Sequence, residues 1–198
     1  MMSSREELQN LPQGWFHHGE KILELLEIHR PMVCVELGTW RGASAIAIAR
    51  TIRKWGGHLT CIDTWTGEVD QSWGRIPGYP AMLAECAHNI IQAGVAANIS
   101  LMPVRTDEAA KRWSGWIDFL YIDADHSYQS VVTDLAMWWP FVRQNGLMAG
   151  DDYGNPMYPD VVTAWDEFEE RALRQPLEHF ATPNTDPPGM ELVYVVKL

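Results

Sequence analysis

Apolar residues along the chain form short continuous runs that alternate with stretches in which apolar residues recur at helical spacing. Runs of this length predict buried strands, and the helical spacing predicts amphipathic helices packed on them. The predicted strands are 32–37, 58–62, 99–104, 117–122, 147–150, 177–181 and 192–197. The predicted helices are 43–55, 79–94, 107–113, 127–144 and 159–173, after an N-terminal helix that ends at Arg30–Pro31.

Strands that alternate with helices predict an α/β fold with a mostly parallel, doubly wound sheet and helices on both faces. The last two strands have no helix between them, so they predict an antiparallel hairpin at the sheet edge. Pro140 is expected to kink or split the helix 127–144. We expect one domain over 1–198, with a helical cover in 1–30 and the sheet in 31–198.

The composition and the net charge limit the kinds of partner and the cellular location expected for the chain. The chain has 198 residues, 15 of them basic, and a formal net charge of −11, which argues against a nucleic-acid partner. Three cysteines without metal-binding spacing indicate buried thiols in a reducing cytoplasm. Residues 3–10 are polar, so we expect no signal peptide, and no apolar run is long enough for a membrane span. The sequence leaves open whether the protein forms a homo-oligomer.

Two acidic clusters directly follow predicted strands. Asp123 and Asp125 follow the fourth strand, and Asp151 and Asp152 follow the fifth. Neighbouring carboxylates repel one another unless a cation compensates them, so the pattern favours a divalent metal, and oxygen ligands suit Mg²⁺, Mn²⁺ or Ca²⁺. Capping of the next helix is an equal alternative for Asp125.

A glycine-containing loop joins the first strand to its helix, in the order Glu36, Gly38, Thr39, Gly42, Ser44. Glycines allow close backbone approach, and a helix N-terminus offers free N–H groups to a nucleotide-like ligand. The dinucleotide pattern GxGxxG is absent, which makes a dehydrogenase the weakest interpretation.

Further polar residues follow the second and third strands. Asp63 ends the second strand, where related folds place an acid on ribose hydroxyls, although capping of a turn is the alternative. Thr106 and Asp107 follow the third strand, where a ligand's flat ring would meet the sheet, and capping of the short helix explains them nearly as well.

The phrases IDADHSY at 122–128 and GDDYG at 150–154 are the most specific parts of the sequence. With the ExGxxxG loop they resemble the class I S-adenosylmethionine-dependent methyltransferases, a Rossmann-like group. The resemblance is strongest to small metal-dependent O-methyltransferases, including catechol, caffeoyl-CoA and macrocin-related macrolide-sugar types.

The resemblance implies two sets of site residues. The cofactor S-adenosylmethionine would contact Glu36, Gly38, Thr39, Gly42, Ser44, Asp63, Thr64, Thr106, Asp107 and Asp123. A divalent metal, with Mg²⁺ as the first candidate, would be bound by Asp123, Asp151 and Asp152. Catechol-type members commonly have Asn at the place of Asp152 and Lys at the place of His126, so this site is more anionic and its candidate base is an imidazole.

The implied reaction places an acceptor hydroxyl on the metal, in line with the sulfonium methyl. His126 and Asp123 are the catalytic candidates, with His126 as the base. The alternative for His126 is a structural hydrogen bond to a neighbouring carboxylate, which would raise its pKa and weaken it as a base at neutral pH.

The acceptor is expected to be a small hydroxylated molecule such as a sugar, glycoside or catechol. Aromatic and polar residues of three loops are predicted to surround the acceptor. They are Trp65, Thr66, Glu68, Trp73 and Arg75; Tyr153, Asn155 and Tyr158; and residues 184–189. Trp40 and Trp65 could equally be packing residues. Residues 14–18 could cover the pocket, although packing onto the first helix explains Trp15 and Phe16 as well.

The sequence therefore predicts a metal-assisted O-methyltransferase. Two alternatives remain open. One is a metal-independent methyltransferase, in which Asp151 and Asp152 bind the acceptor directly. The other is a protein that binds S-adenosylmethionine without turnover.

Overall fold

A computed structural model describes residues 4–66, 81–183, 185 and 188–198. Seven strands form one sheet in the order β3-β2-β1-β4-β5-β7-β6. Their bounds are β1 Val33–Leu37, β2 His58–Asp63, β3 Ile99–Pro103, β4 Ile117–Ile122, β5 Val142–Tyr153, β6 Glu178–Ala181 and β7 Glu191–Val196. β1 to β5 are parallel, while β7 is antiparallel to both β5 and β6. The predicted fold class, including the antiparallel hairpin at one edge, is confirmed.

Helices cover both faces of the sheet. They are α1 Ser4–Glu7, α2 Gly19–His29, α3 Ala43–Ile52, α4 Met82–Gln92, α5 Thr106–Arg112, α6 Tyr128–Trp138 and α7 Pro159–Ala172. Alternate residues of each strand face opposite layers: Cys34 and Phe119 pack with α2, α3 and α4, and Val35 and Leu120 pack with α5, α6 and α7. Among the described helices, none has the length and apolar character needed to cross a membrane.

The strand register builds one row of residues across the sheet. Leu37 is opposite Ile62 in β2 and Ile122 in β4, and Ile122 is opposite Gly150 in β5. The residues that directly follow Leu37, Ile62, Ile122 and Gly150 are Gly38, Asp63, Asp123 and Asp151, in that order. Because parallel strands end at the same edge, the register alone brings the glycine loop and three predicted site acids together.

The largest differences from the predicted boundaries lie on either side of Pro140. The helix predicted over 127–144 ends at Trp138, and Trp139–Phe141 form a 3-10 turn with Pro140 near its start. Proline cannot donate the next helical hydrogen bond, so the chain leaves the helix there. β5 starts at Val142 and ends at Tyr153, beyond the predicted 147–150 at both ends, so Asp151 and Asp152 lie within the strand and do not follow it. The start of the helix predicted over 79–94 lies outside the described residues.

Candidate functional site

The loop between β1 and α3 lies directly on the end of β4. Gly38 has φ +81°, and a Cβ built on it would lie 1.9 Å from the carbonyl oxygen of Asp123. Gly42, with φ +87°, precedes the first residue of α3, and Ser44 is buried in the first turn. Only glycine fits at position 38, because both the positive φ and the contact with backbone exclude a side chain.

Glu36 is fully buried beneath this loop. Thr39 Oγ1 donates a 2.8 Å hydrogen bond to Glu36 Oε2, whereas Oε1 has no hydrogen-bond partner among the described residues. Burial raises the pKa of Glu36 to about 7, although the Ser44 and Thr39 side chains partly offset that increase. A buried acceptor atom without a donor fits a ligand that brings an N–H group.

Asp63 holds the same loop from the β2 side. Its Oδ2 accepts the backbone N–H groups of Thr39 and Trp40, both at 2.9 Å, and its Oδ1 accepts that of Trp65 at 2.7 Å. The turn-capping alternative is therefore present in the structure. Oδ1 has one described hydrogen bond, and a carboxylate oxygen can accept two, so the predicted contact with ribose hydroxyls is compatible with this role.

The other predicted cofactor residues lie beside this edge of the sheet. Thr64 Oγ1 is 3.0 Å from Thr66 Oγ1, in the turn after Asp63. Thr106 is the first residue of α5, and Asp107 pairs with Arg105 at 2.9 Å. Asp107 thus has a structural role at the start of α5.

The acidic residues at the ends of β4 and β5 divide into two environments. Oxygen or nitrogen atoms of Asp123, Asp152 and His126 all lie within 4.8 Å of one another. His126 Nε2 is 2.7 Å from Asp152 Oδ2 and 3.8 Å from Asp123 Oδ1. These three donors form a candidate metal group at the sheet edge, in which an imidazole joins two carboxylates.

Asp151 faces the interior instead. The Tyr121 hydroxyl donates a 2.6 Å hydrogen bond to Asp151 Oδ2, and the backbone N–H of Asp152 donates to Oδ1 at 2.9 Å. Burial and the negative charges of Asp123 and Asp152 raise the pKa of Asp151 well above its usual value. The structure therefore places one member of the predicted metal triad outside the group formed by the other two and His126.

A β-bulge turns Asp152 away from Asp151. Pairing between β5 and β7 shifts between Gly150 and Tyr153, and Asp152 has φ +61°, a left-handed conformation that is uncommon for a non-glycine residue. The Asn155 amide donates to Asp152 Oδ1. Burial alone would raise the pKa of Asp152, but His126 and Asn155 bring that pKa below its usual value.

His126 lies parallel to the ring of Tyr158, with centroids 4.1 Å apart. Its pairing with Asp152 matches the structural alternative for this histidine. The nearby Asp125 accepts the backbone N–H of Ser127 at 2.9 Å, in the turn just before α6, and does not cap the first turn of that helix.

One histidine of the N-terminal segment reaches the acids from the opposite side. His18 is buried, its Nδ1 is 2.8 Å from Thr182 Oγ1, and its Nε2 is 3.4 Å from Asp151 Oδ1. Burial lowers the pKa of His18 to about 4, so the ring is neutral at pH 7. The sequence indicated only that residues 14–18 could cover the pocket, and it did not identify His18 as a neighbour of Asp151.

Tryptophans near the glycine loop pack against one another and against the core. Trp65 is 3% exposed and its Nε1 donates to the carbonyl of Trp40 at 2.8 Å, so it belongs to the core. Trp15 stacks on Trp40 at 4.6 Å. Residues Glu68, Trp73, Arg75 and Asn184, all predicted near the acceptor, lie outside the described residues.

Comparison with known proteins gives the site a context. A sequence model of the family described as a methyltransferase domain matches residues 35–153, more than half of the chain. A 49-residue stretch is 43% identical to an uncharacterized protein of Acanthamoeba polyphaga mimivirus and covers 24% of this chain. That match spans only 22% of the length of the mimivirus protein.

Solved structures share the fold. An O-methyltransferase from Bacillus cereus in complex with SAH matches with a TM-score of 0.68 and 18% identity, over 98% of this chain and 90% of that chain. The O-methyltransferase TomG from Streptomyces achromogenes, involved in tomaymycin synthesis and solved with SAM, matches with a TM-score of 0.67 and 14% identity, over 99% and 96%. At such identities the likeness concerns the fold alone.

Proposed function

Because the chain belongs to the family of methyltransferase domains, we propose that it transfers the methyl group of S-adenosylmethionine to a hydroxyl of a small molecule, with the help of a divalent metal. One observation carries this proposal: Gly38 of the glycine loop packs on the backbone of Asp123. The candidate cofactor loop and the acidic cluster are therefore in direct contact. Such an arrangement brings a methyl donor and an acceptor hydroxyl within reach of each other.

The cofactor half fits an amino acid joined to a nucleoside. Glu36 Oε1 is a buried acceptor without a described donor, which suits the ammonium of the methionine moiety. Gly38 brings the loop directly onto the backbone of Asp123, and Asp63 retains acceptor capacity for ribose hydroxyls. Bound there, S-adenosylmethionine supplies an electrophilic methyl group.

The metal half fits a divalent cation. Asp123 and Asp152 offer oxygen atoms, and His126 offers a nitrogen, all within 4.8 Å of one another. A cation in that group would lower the pKa of a bound hydroxyl. The family resemblance gives Asp151 the third ligand position, whereas the geometry favours His126, and imidazole shifts the preference from Mg²⁺ toward Mn²⁺ or another transition metal.

His126 Nε2 cannot be both a metal ligand and the base that accepts the acceptor's proton. His126→Ala separates the two roles, because loss of a ligand reduces Mn²⁺ affinity tenfold or more, whereas loss of a base leaves it unchanged. The measurement is calorimetric titration with Mn²⁺. The same experiment on Asp151→Ala shows whether Asp151 contributes to the metal directly.

The acceptor class follows from charge and shape. Acids and the stacked pair of His126 and Tyr158 surround the group, and the chain has a net charge of −11, so a polyanion is disfavoured. A neutral sugar, glycoside or catechol-like hydroxyl suits aromatic rings with a few polar groups.

The decisive experiment is calorimetric titration with S-adenosylmethionine, run with Mg²⁺ and again in EDTA, followed by titration of the cofactor complex with Mg²⁺ and Mn²⁺. Binding of cofactor and metal, then methyl transfer to members of a sugar and catechol panel, supports the proposal. Turnover that is unchanged in excess EDTA favours the metal-independent alternative. Cofactor binding without transfer to any acceptor favours a binding protein.

A further inference from the structure

His18 is held between two partners that belong to different parts of the chain. Nδ1 is 2.8 Å from Thr182 Oγ1, in the segment after β6, and Nε2 points at Asp151 Oδ1 in β5. The ring is 1% exposed, and Nε2 has no hydrogen-bond partner of normal geometry among the described residues. A buried ring nitrogen aimed at a carboxylate needs an explanation beyond packing.

The two contacts select one tautomer of a neutral ring. Both oxygens of Asp151 already accept hydrogen bonds, Oδ1 from the backbone N–H of Asp152 and Oδ2 from the Tyr121 hydroxyl. Because Asp151 acts as an acceptor, the proton belongs on Nε2 of His18, and Nδ1 accepts a hydrogen bond from the Thr182 hydroxyl. Asp151 is then approached by donors on both oxygens: His18 and the backbone N–H of Asp152 at Oδ1, and the Tyr121 hydroxyl at Oδ2.

The N-terminal segment reinforces this arrangement through a second contact. Phe16 meets the ring of Tyr121 edge-on, with centroids 6.2 Å apart. Gly19 leaves no room for a larger residue, since a Cβ there would lie 2.7 Å from Leu8 and 2.8 Å from Phe16. The segment is thus packed so that His18 and Phe16 approach Asp151 and its donor Tyr121 together.

We propose that His18 is a positioning residue, which fixes the Asp151 carboxylate by donating from Nε2 and so makes the N-terminal segment part of the metal and acceptor site. The proposal rests on the proposed function for its consequence in metal binding. Asp151 lies outside the group of Asp123, His126 and Asp152 and acts on it through the hydrogen bond that the Asp152 backbone N–H donates to Asp151 Oδ1. The geometric content of the proposal, the orientation of Asp151, stands independently of any metal.

Two substitutions separate the nitrogens of the ring. In His18→Gln the side-chain amide can occupy the Nε2 position and donate to Asp151, while in His18→Asn the shorter amide reaches only the Nδ1 position beside Thr182. Each variant is compared with wild type for melting temperature, S-adenosylmethionine affinity and Mn²⁺ affinity by calorimetry. His29→Gln, on the same helix segment but outside the site, is the matched control.

The expected result is a tenfold or greater loss of Mn²⁺ affinity in His18→Asn and a change below threefold in His18→Gln and His29→Gln. Cofactor affinity stays within twofold in all three variants. Equal losses in the Gln and Asn variants would overturn the proposal, because they would show that the ring only fills space. Wild-type affinity in both would overturn it as well.

A second readout keeps this test separate from the proposed function. The ¹³C shift of the Asp151 carboxyl, assigned with Asp151→Asn, reports its hydrogen bonding without any metal. If wild type fails to bind Mn²⁺, the metal part of the proposed function fails. A shift that changes in His18→Asn and returns in His18→Gln would then still support the positioning role, and a shift unchanged in His18→Asn would refute it.

Discussion

The hydroxyl of Tyr121 donates a 2.6 Å hydrogen bond to Asp151 Oδ2, and both side chains are buried. Tyr121 lies within β4 and Asp151 lies in the neighbouring β5, so the bond spans two adjacent strands of the sheet. An aromatic residue that packs among apolar neighbours therefore also provides the polar partner of a buried acid.

Tyr121→Phe removes this donor and little else. We expect the free energy of unfolding to fall by about 1–2 kcal/mol, because a buried acceptor loses its partner. Turnover should fall about tenfold as Asp151 loses its orientation, with cofactor affinity unchanged. Urea unfolding and initial rates measure the two effects. Tyr153→Phe, which loses a bond to the surface acid Asp166, is the control and should change stability by less than about 0.5 kcal/mol.

Cofactor affinity should depend on pH through Glu36. Burial raises its pKa to about 7, so the carboxyl is mostly protonated at pH 6 and mostly ionised at pH 8. Only the ionised form attracts an ammonium group, and binding of S-adenosylmethionine should therefore strengthen as pH rises across that range. Calorimetry between pH 6 and 8 measures it. Glu36→Gln should bind weakly with a flat profile, and a matching slope in this variant would exclude Glu36 as the cause.

The two halves of the site should respond to different substitutions. Asp63→Ala should weaken cofactor binding about tenfold or more, since the loop residues Thr39 and Trp40 lose their acceptor. Asp151→Ala should leave cofactor binding intact and abolish turnover. Titration calorimetry and a methyl-transfer assay distinguish the two. Equal loss of cofactor affinity in both variants would show that the site is not divided in this way.

Asp134 should make the protein less stable as pH rises. It is 2% exposed in α6, and burial raises its pKa to about 7 despite a hydrogen bond with Thr106. Its folded pKa lies above the unfolded value of 3.8, so the native state binds more protons between about pH 4 and 7, and stability falls with pH over that window.

Asp134→Asn removes this dependence. We expect the variant to be more stable than wild type by about 2 kcal/mol at pH 8, against an upper limit of about 4 kcal/mol for such a shift, and to lose the advantage near pH 4.5. Chemical denaturation at both pH values tests it. Glu24→Gln, at an exposed acid, is the control, and identical behaviour of the two variants would contradict the assignment.

Substitution of Gly38 tests the contact between the glycine loop and Asp123. Gly38→Ala places a methyl group against the Asp123 carbonyl and strains a positive φ, and we expect a loss of about 3 kcal/mol or more. Gly94→Ala has the same strain at φ +69° with nothing within 4 Å, so it should cost only about 1–2 kcal/mol. Thermal melts compare the two. Equal destabilisation would mean that Gly38 is needed for its backbone conformation alone.

Local patterns were enough to predict the sheet and to place several candidate site residues at one edge of it. Apolar runs determined the strands, and parallel strands end together, so Asp63, Asp123 and Asp151 had to meet at one edge. The division between Asp151 and Asp152 could not be predicted in this way. It depends on a bulge and a positive φ at Asp152, which arise from pairing with β7 some forty residues later in the chain.

Long-range contacts account for the other differences. Trp65 looked like a loop residue, but its indole N–H reaches Trp40 and its ring enters the core. His18 carries no motif, and its neighbours Asp151 and Thr182 are far away in sequence. The adjacent histidines after an aromatic pair were the one available signal, and they indicated proximity to the pocket without identifying a partner.

The contact between His18 and Thr182 also determines when the site can be completed during synthesis. These residues are 164 positions apart, so the ribosome has made most of the chain before they can meet. The glycine loop, β2 and β4 emerge much earlier and can assemble their part of the sheet. We therefore expect the cofactor loop to form first during translation. The contacts around Asp151 are completed only after Thr182 has emerged.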